Sequence, residues 1–200
     1  MPVNQLPSIL FQVSSPLPTR LLRIFQKGVQ IEVELGSDLL TLLTSELCLS
    51  KQGIEKIQTI FWQGKPVDDL AQCVTTEKGE LALSAALPGL VGACLRRGGV
   101  WSALRDSISH QGEIISERGK RGLITIKLFN FMLQEVGPLL LSRGVIVAKE
   151  AFVELCNSTL LWDQVIRVTS QEKLLTKDEM TKFANTDVEH FKLLVTEVME

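Results

Sequence analysis

The chain has 200 residues, 45% of them hydrophobic and 22% charged, which is enough apolar chain for a buried core and excludes wholesale disorder. A net charge of −2 excludes recruitment of nucleic acid or an anionic membrane by overall charge. Two His, four Cys and no Tyr make the usual catalytic side chains scarce.

Residues 1–19 carry no charge and contain Pro2, Pro7, Pro16 and Pro18. They lack a basic start, and Gln12 interrupts the short apolar run from Ile9 to Val13, so the stretch reads as an extended arm and not as an export signal. Leu21 to Gln26 is strand-like, and Lys27-Gly28 supplies a tight turn. Val29, Ile31, Val33 and Leu35 then alternate with Gln30, Glu32 and Glu34, which predicts a β-hairpin. Ser37 sits at an N-cap position with Asp38 behind it, and Leu39, Leu40, Leu43 and Leu47 continue at helical spacing to about Leu49. Ile57 to Trp62 predicts a third strand, Gln63-Gly64-Lys65-Pro66 a turn into a short extended piece at Val67, and Leu81 to Ala85 a last strand. This order predicts a β-grasp domain over residues 20–95.

The stretch from Ile60 to Asp69, with Lys78-Gly79-Glu80-Leu81-Ala82-Leu83 and Leu87-Pro88-Gly89-Leu90-Val91-Gly92-Ala93, resembles the small sulfur-carrier proteins of thiamine and molybdopterin synthesis. Ubiquitin, of the same fold, is similar through Ile60-Phe61 with Gly64-Lys65 and through Leu95-Arg96-Arg97-Gly98-Gly99. The resemblance spans residues 20–99 and implies a β-grasp (ubiquitin-like) fold. Carrier chemistry needs a terminal glycine carboxylate. Here Ala93 follows Gly92, and 101 residues follow Gly99, so the intact chain has no such carboxylate at either position. A carrier or modifier precursor would require cleavage near Gly92 or Gly99.

Residues 96–122 form a Gly/Arg-rich connector, polar from Gln111 to Gly122. Beyond it, Leu128, Phe131 or Met132, and Val136 share a helical face in the run from Leu123, and Gly137-Pro138 should kink or end that helix. Val145 to Val147 reads as a brief extended link, with helices at Lys149 to Cys156 and Leu160 to Val168. Thr176-x-x-Glu179 and Thr186-x-x-Glu189 have capping-box spacing, and Val188, Phe191, Leu194, Val195 and Val198 line one helical face. The expected fold class is α+β, a β-grasp domain followed by a predominantly helical region over residues 123–200.

Gly89, Gly92, Arg96, Arg97, Gly98 and Gly99 form a candidate anion site, because glycine-freed N–H groups beside guanidinium groups can cradle a phosphate or carboxylate. No GxxxxGK[ST] or GxGxxG accompanies them, and the same glycines suit a structural joint with Leu87, Leu90, Val91 and Leu95 buried. Asp68-Asp69 reads as a solvated turn pair. Cys48, Cys73, Cys94 and Cys156 have no CxxC spacing, which fits a reducing cytoplasm and points to neither a metal nor a catalytic residue. Residues 96–127 sum to +4 and residues 150–200 to −5, without aromatic interleaving that would mark nucleic-acid binding. The sequence therefore points to a cytoplasmic protein-interaction or scaffold module with a protein partner, no cofactor and no membrane. The alternatives are a sulfur-carrier or ubiquitin-like modifier precursor cleaved near Gly92 or Gly99, and a small-anion or nucleotide-binding protein using the Gly89–Arg97 segment.

Overall fold

A computed structural model describes residues 6–71, 75–85, 89–100 and 119–198, apart from the side chain of Val91. In chain order the elements are β1 (Ser8–Ser14), α1 (Thr19–Leu22), α2 (Ile24–Lys27), β2 (Val29–Glu34), α3 (Leu39–Thr41, continued by a wider turn over Leu42–Glu46), α4 (Lys51–Glu55), β3 (Thr59–Trp62), β4 (Lys65–Pro66), β5 (Glu80–Ser84) and α5 (Gly89–Leu95). There follow β6 (Arg121–Phe129), α6 (Met132–Arg143), β7 (Val145–Ala148), α7 (Lys149–Cys156), α8 (Thr159–Trp162), β8 (Val165–Ser170), β9 (Lys173–Leu174), α9 (Lys177–Ala184) and β10 (His190–Val198). The chain divides into two compact units. One is Met1–Val29 with Gly137–Glu200, and the other is Gln30–Val136.

In the first unit the strand order is β7–β10–β1–β8–β9. β1 runs parallel to β10, with Ser8 opposite Lys192 and Ser14 opposite Val198, and antiparallel to β8. Ile9, Phe11 and Val13 of β1 and Phe191, Leu193 and Val195 of β10 are buried, as period-two alternation requires. Phe152 of α7 stacks on Phe191 at 4.5 Å between ring centroids, and Phe183 of α9 tilts against the same ring at 5.8 Å. Helix α9 opens with a reciprocal capping box: the Thr176 hydroxyl accepts from the Glu179 N–H, and the Glu179 carboxylate accepts from the Thr176 N–H. Those bonds hold the Glu179 carboxyl below its ordinary pKa.

In the second unit the order is β4–β3–β5–β6–β2. β5 and β6 are parallel, whereas β3 is antiparallel to both β4 and β5. The alternation read in β2 holds: Ile31 and Val33 are buried, Glu32 and Glu34 exposed, and Leu39 and Leu43 are buried too. The cap of α3 is Asp38 and not Ser37, its carboxylate accepting from the Thr41 N–H at 2.7 Å. Two cations of the basic middle find partners inside this unit, Arg121 on Glu46 and Lys127 on Glu80, both at 2.8 Å.

This architecture overturns the expected β-grasp domain followed by a helical region. The described residues hold ten strands in mixed parallel and antiparallel pairing; β6, β8 and β10 lie over runs expected to be helical, whereas β7 falls on the extended link expected at Val145 to Val147. The hairpin is absent because Leu21 to Gln26 is helical: Leu21, Leu22, Ile24 and Phe25 are buried while Arg20, Arg23, Gln26 and Lys27 are exposed, a 3.6-residue period. The run from Leu123 is strand because Gly122, Ile124, Ile126 and Leu128 alternate inward. No helix follows Thr186, whose hydroxyl donates back to the Phe183 carbonyl at the end of α9. Pro138 sits inside α6, which runs on to Arg143 and closes at Gly144 with φ +94°. Among the described residues no helix is long and apolar enough to cross a membrane.

Candidate functional site

The Gly/Arg segment lies in and just after α5. Gly89, at φ +73°, opens that helix, and Gly92 is buried within it. The Arg97 N–H donates to the Gln58 carbonyl at 2.7 Å, and its guanidinium donates to the Ile54 carbonyl at the end of α4 at 3.0 Å. Burial lowers the Arg97 pKa from its ordinary value, and Asp68 pulls it back upward. The Gly98 N–H donates to the Asp68 carboxylate at 3.4 Å, the Gly99 N–H to the Arg96 carbonyl, and the Arg96 guanidinium to the Gln58 side chain at 3.1 Å. These donors thus meet carbonyls and a carboxylate of the same unit, tying the end of α5 to α4 and β3. Asp69 accepts from the Ala71 N–H, so the paired aspartates serve different partners. Of the four side chains expected in a buried joint, Leu90 is 76% exposed and Leu95 partly exposed; Leu87 and the side chain of Val91 lie outside the described residues.

A more open group of donors lies in the first unit. Pro18 leads into α1, and Arg23, itself helical at φ −65° and ψ −20°, joins α1 to α2. One face of this stretch is buried, so its exposed face must carry Arg20, Arg23 and Lys27, spaced i, i+3 and i+7. Across from it, α7 buries Ala151, Phe152, Leu155 and Cys156 and leaves Glu154 outside. A cleft of about 270 Å³ opens there, its cations Arg20, Arg23 and Lys27, its carboxylate Glu154, and Ile24 and Leu155 among its apolar lining. Lys27 is paired with Glu154. The guanidinium groups of Arg20 and Arg23 have no hydrogen bond or ion pair with any described residue. Three cations against one carboxylate leave two positive charges uncompensated at the mouth.

Comparisons with protein-family models, curated proteins and solved structures found no match. Arginine presents donors in a planar fork that fits carboxylate and phosphate oxygens in pairs. None of the described lining residues is aromatic, so they offer no surface on which a base could stack.

Among the described residues no group of three or more His, Cys, Asp or Glu is placed to hold a metal ion. Cys48 is exposed, Cys94 partly exposed and Cys156 buried. Burial pushes the Cys156 thiol from its ordinary 9.0 up to about 12, so it stays protonated and a poor nucleophile. A thiol reagent at pH 8 should label Cys48 rapidly and Cys156 only on unfolding, as located by mass spectrometry; equal rates would contradict this burial. The folded state holds that proton more tightly than the unfolded one. Its contribution to stability is therefore complete below pH 9.0 and lost as pH rises toward about 12.

Proposed function

We propose that this protein is a protein-interaction module whose α1–α2 face docks an acidic segment of a partner protein. The observation that carries this reading is the pair of exposed arginines, Arg20 and Arg23, with no partner among the described residues at the mouth of a cleft. Two like charges three residues apart on a helical face repel, and a carboxylate on each relieves that repulsion. The apolar lining at Ile24 and Leu155 accepts the methylene stems of Glu side chains. Nucleic acid fits less well, since the described lining residues lack aromatic rings, Glu154 already occupies Lys27, and the chain carries a net charge of −2.

The test is fluorescence anisotropy with a labelled glutamate-rich peptide and, in parallel, a labelled single-stranded RNA. Exposed ion pairs contribute about 0.2–1 kcal/mol each, so the Arg20→Ala/Arg23→Ala variant, which removes two, should bind the peptide about twofold to thirtyfold more weakly. Arg167→Ala, an exposed cation outside the cleft, should leave binding unchanged. Equal binding by wild type and the double variant, tighter binding to RNA, or no peptide binding at all overturns the reading.

A further inference from the structure

Among the described residues Glu154 is the one carboxylate lining this cleft, and it is committed to Lys27, the third cation of the face. Both side chains are well exposed, so the pair is only weakly held and open to exchange with solvent ions. Glu154 also projects from α7, whose Ala151 and Leu155 lie in the same lining, so the helix that shapes the cleft presents the carboxylate. The arrangement is that of an acidic ligand already occupying one of three positions.

Resting on the docking reading above, we infer that Glu154 sets the charge valence of the cleft at two. The partner it selects offers a pair of carboxylates, one for Arg20 and one for Arg23. A third carboxylate on the partner would meet Lys27 already neutralised and would stand beside Glu154, so attraction and repulsion nearly cancel. Removing the Glu154 charge frees Lys27 and raises the valence to three. Removing the charges of Lys27 and Glu154 together returns it to two.

The test uses the full chain and two labelled helical peptides, identical except that one carries two glutamates spaced four residues apart and the other three. Wild type should bind both within about twofold. Glu154→Gln should prefer the three-glutamate peptide by about threefold, the worth of one further exposed ion pair. Lys27→Met/Glu154→Gln should lose that preference while keeping the wild-type affinity for the two-glutamate peptide. Circular dichroism confirms that each variant is folded. A wild-type preference for three glutamates as large as that of Glu154→Gln overturns the inference. So does folded Glu154→Gln that binds both peptides more weakly, because Glu154 would then organise the cleft and not compete within it. These outcomes leave the docking reading standing if Arg20→Ala/Arg23→Ala still weakens binding. Failure of wild type to bind either peptide removes the docking reading itself.

Discussion

Phe191→Ala should lower the stability of the protein by about 3–5 kcal/mol, read as a shift in the urea midpoint at unchanged slope. The ring is fully buried on β10, stacked on Phe152 and tilted against Phe183. Truncation removes a large apolar surface and leaves a cavity. It also breaks two ring pairs, each worth about 0.5–1.5 kcal/mol beyond the buried area. These neighbours come from α7 and α9, so the ring joins two helices to one strand. Leu174→Ala is the internal control: that side chain is 58% exposed and its loss should cost less than about 0.5 kcal/mol. A Phe191→Ala cost below about 1.5 kcal/mol would mean that the surrounding side chains close over the gap.

Gly79→Ala should lower stability by about 2–3 kcal/mol. The glycine is not needed for backbone freedom, since its φ lies outside the left-handed region. The constraint is space. A Cβ there would lie 2.3 Å from two ring atoms of Trp62 and 3.0 Å from the Thr76 carbonyl oxygen. Retreat is blocked on both sides. The Gly79 N–H donates to Thr76, the Gly79 carbonyl accepts from Thr125 at 2.8 Å, and the indole is itself 1% exposed. Combining Gly79→Ala with Trp62→Leu should cost less than the sum of the two singles by at least 1 kcal/mol. Strict additivity in urea unfolding would show that the methyl and the indole do not meet.

Some of this structure is legible in the amino-acid order, and the difference is physical. Thr176 and Glu179 satisfy each other's backbone donors within four residues, which makes α9 legible locally, although the same spacing at Thr186 and Glu189 opens no helix. The alternation of β2 is equally local. Long apolar runs are less informative, because β10 reads as a helical face through Phe191, Leu194 and Val198, and as a strand through Phe191, Leu193 and Val195. Its parallel partner lies some 180 residues away in β1, and nothing near residue 190 announces it. The candidate site follows the same rule. The i, i+3, i+7 spacing of Arg20, Arg23 and Lys27 was readable, but only once Leu21 to Gln26 is taken as helix. Glu154 lies 127 residues beyond Lys27 and is brought to it by the fold alone. The Arg96–Arg97 segment drew attention by composition, whereas composition says nothing of which donors already have acceptors.

The pairing of β1 with β10 also fixes an order of manufacture. A ribosome delivers Ile9, Phe11 and Val13 before any residue of Gln30–Val136, and Phe191, Leu193 and Val195 after all of them. The inner unit is complete in sequence when the outer one still lacks the strand lying between β7 and β1. Throughout that interval β1 is an apolar strand without its parallel neighbour, a template open to pairing with other nascent chains. Closing so long a loop adds little equilibrium cost, since that entropy grows only with the logarithm of length, but it delays the pairing of β1 until β10 has been made.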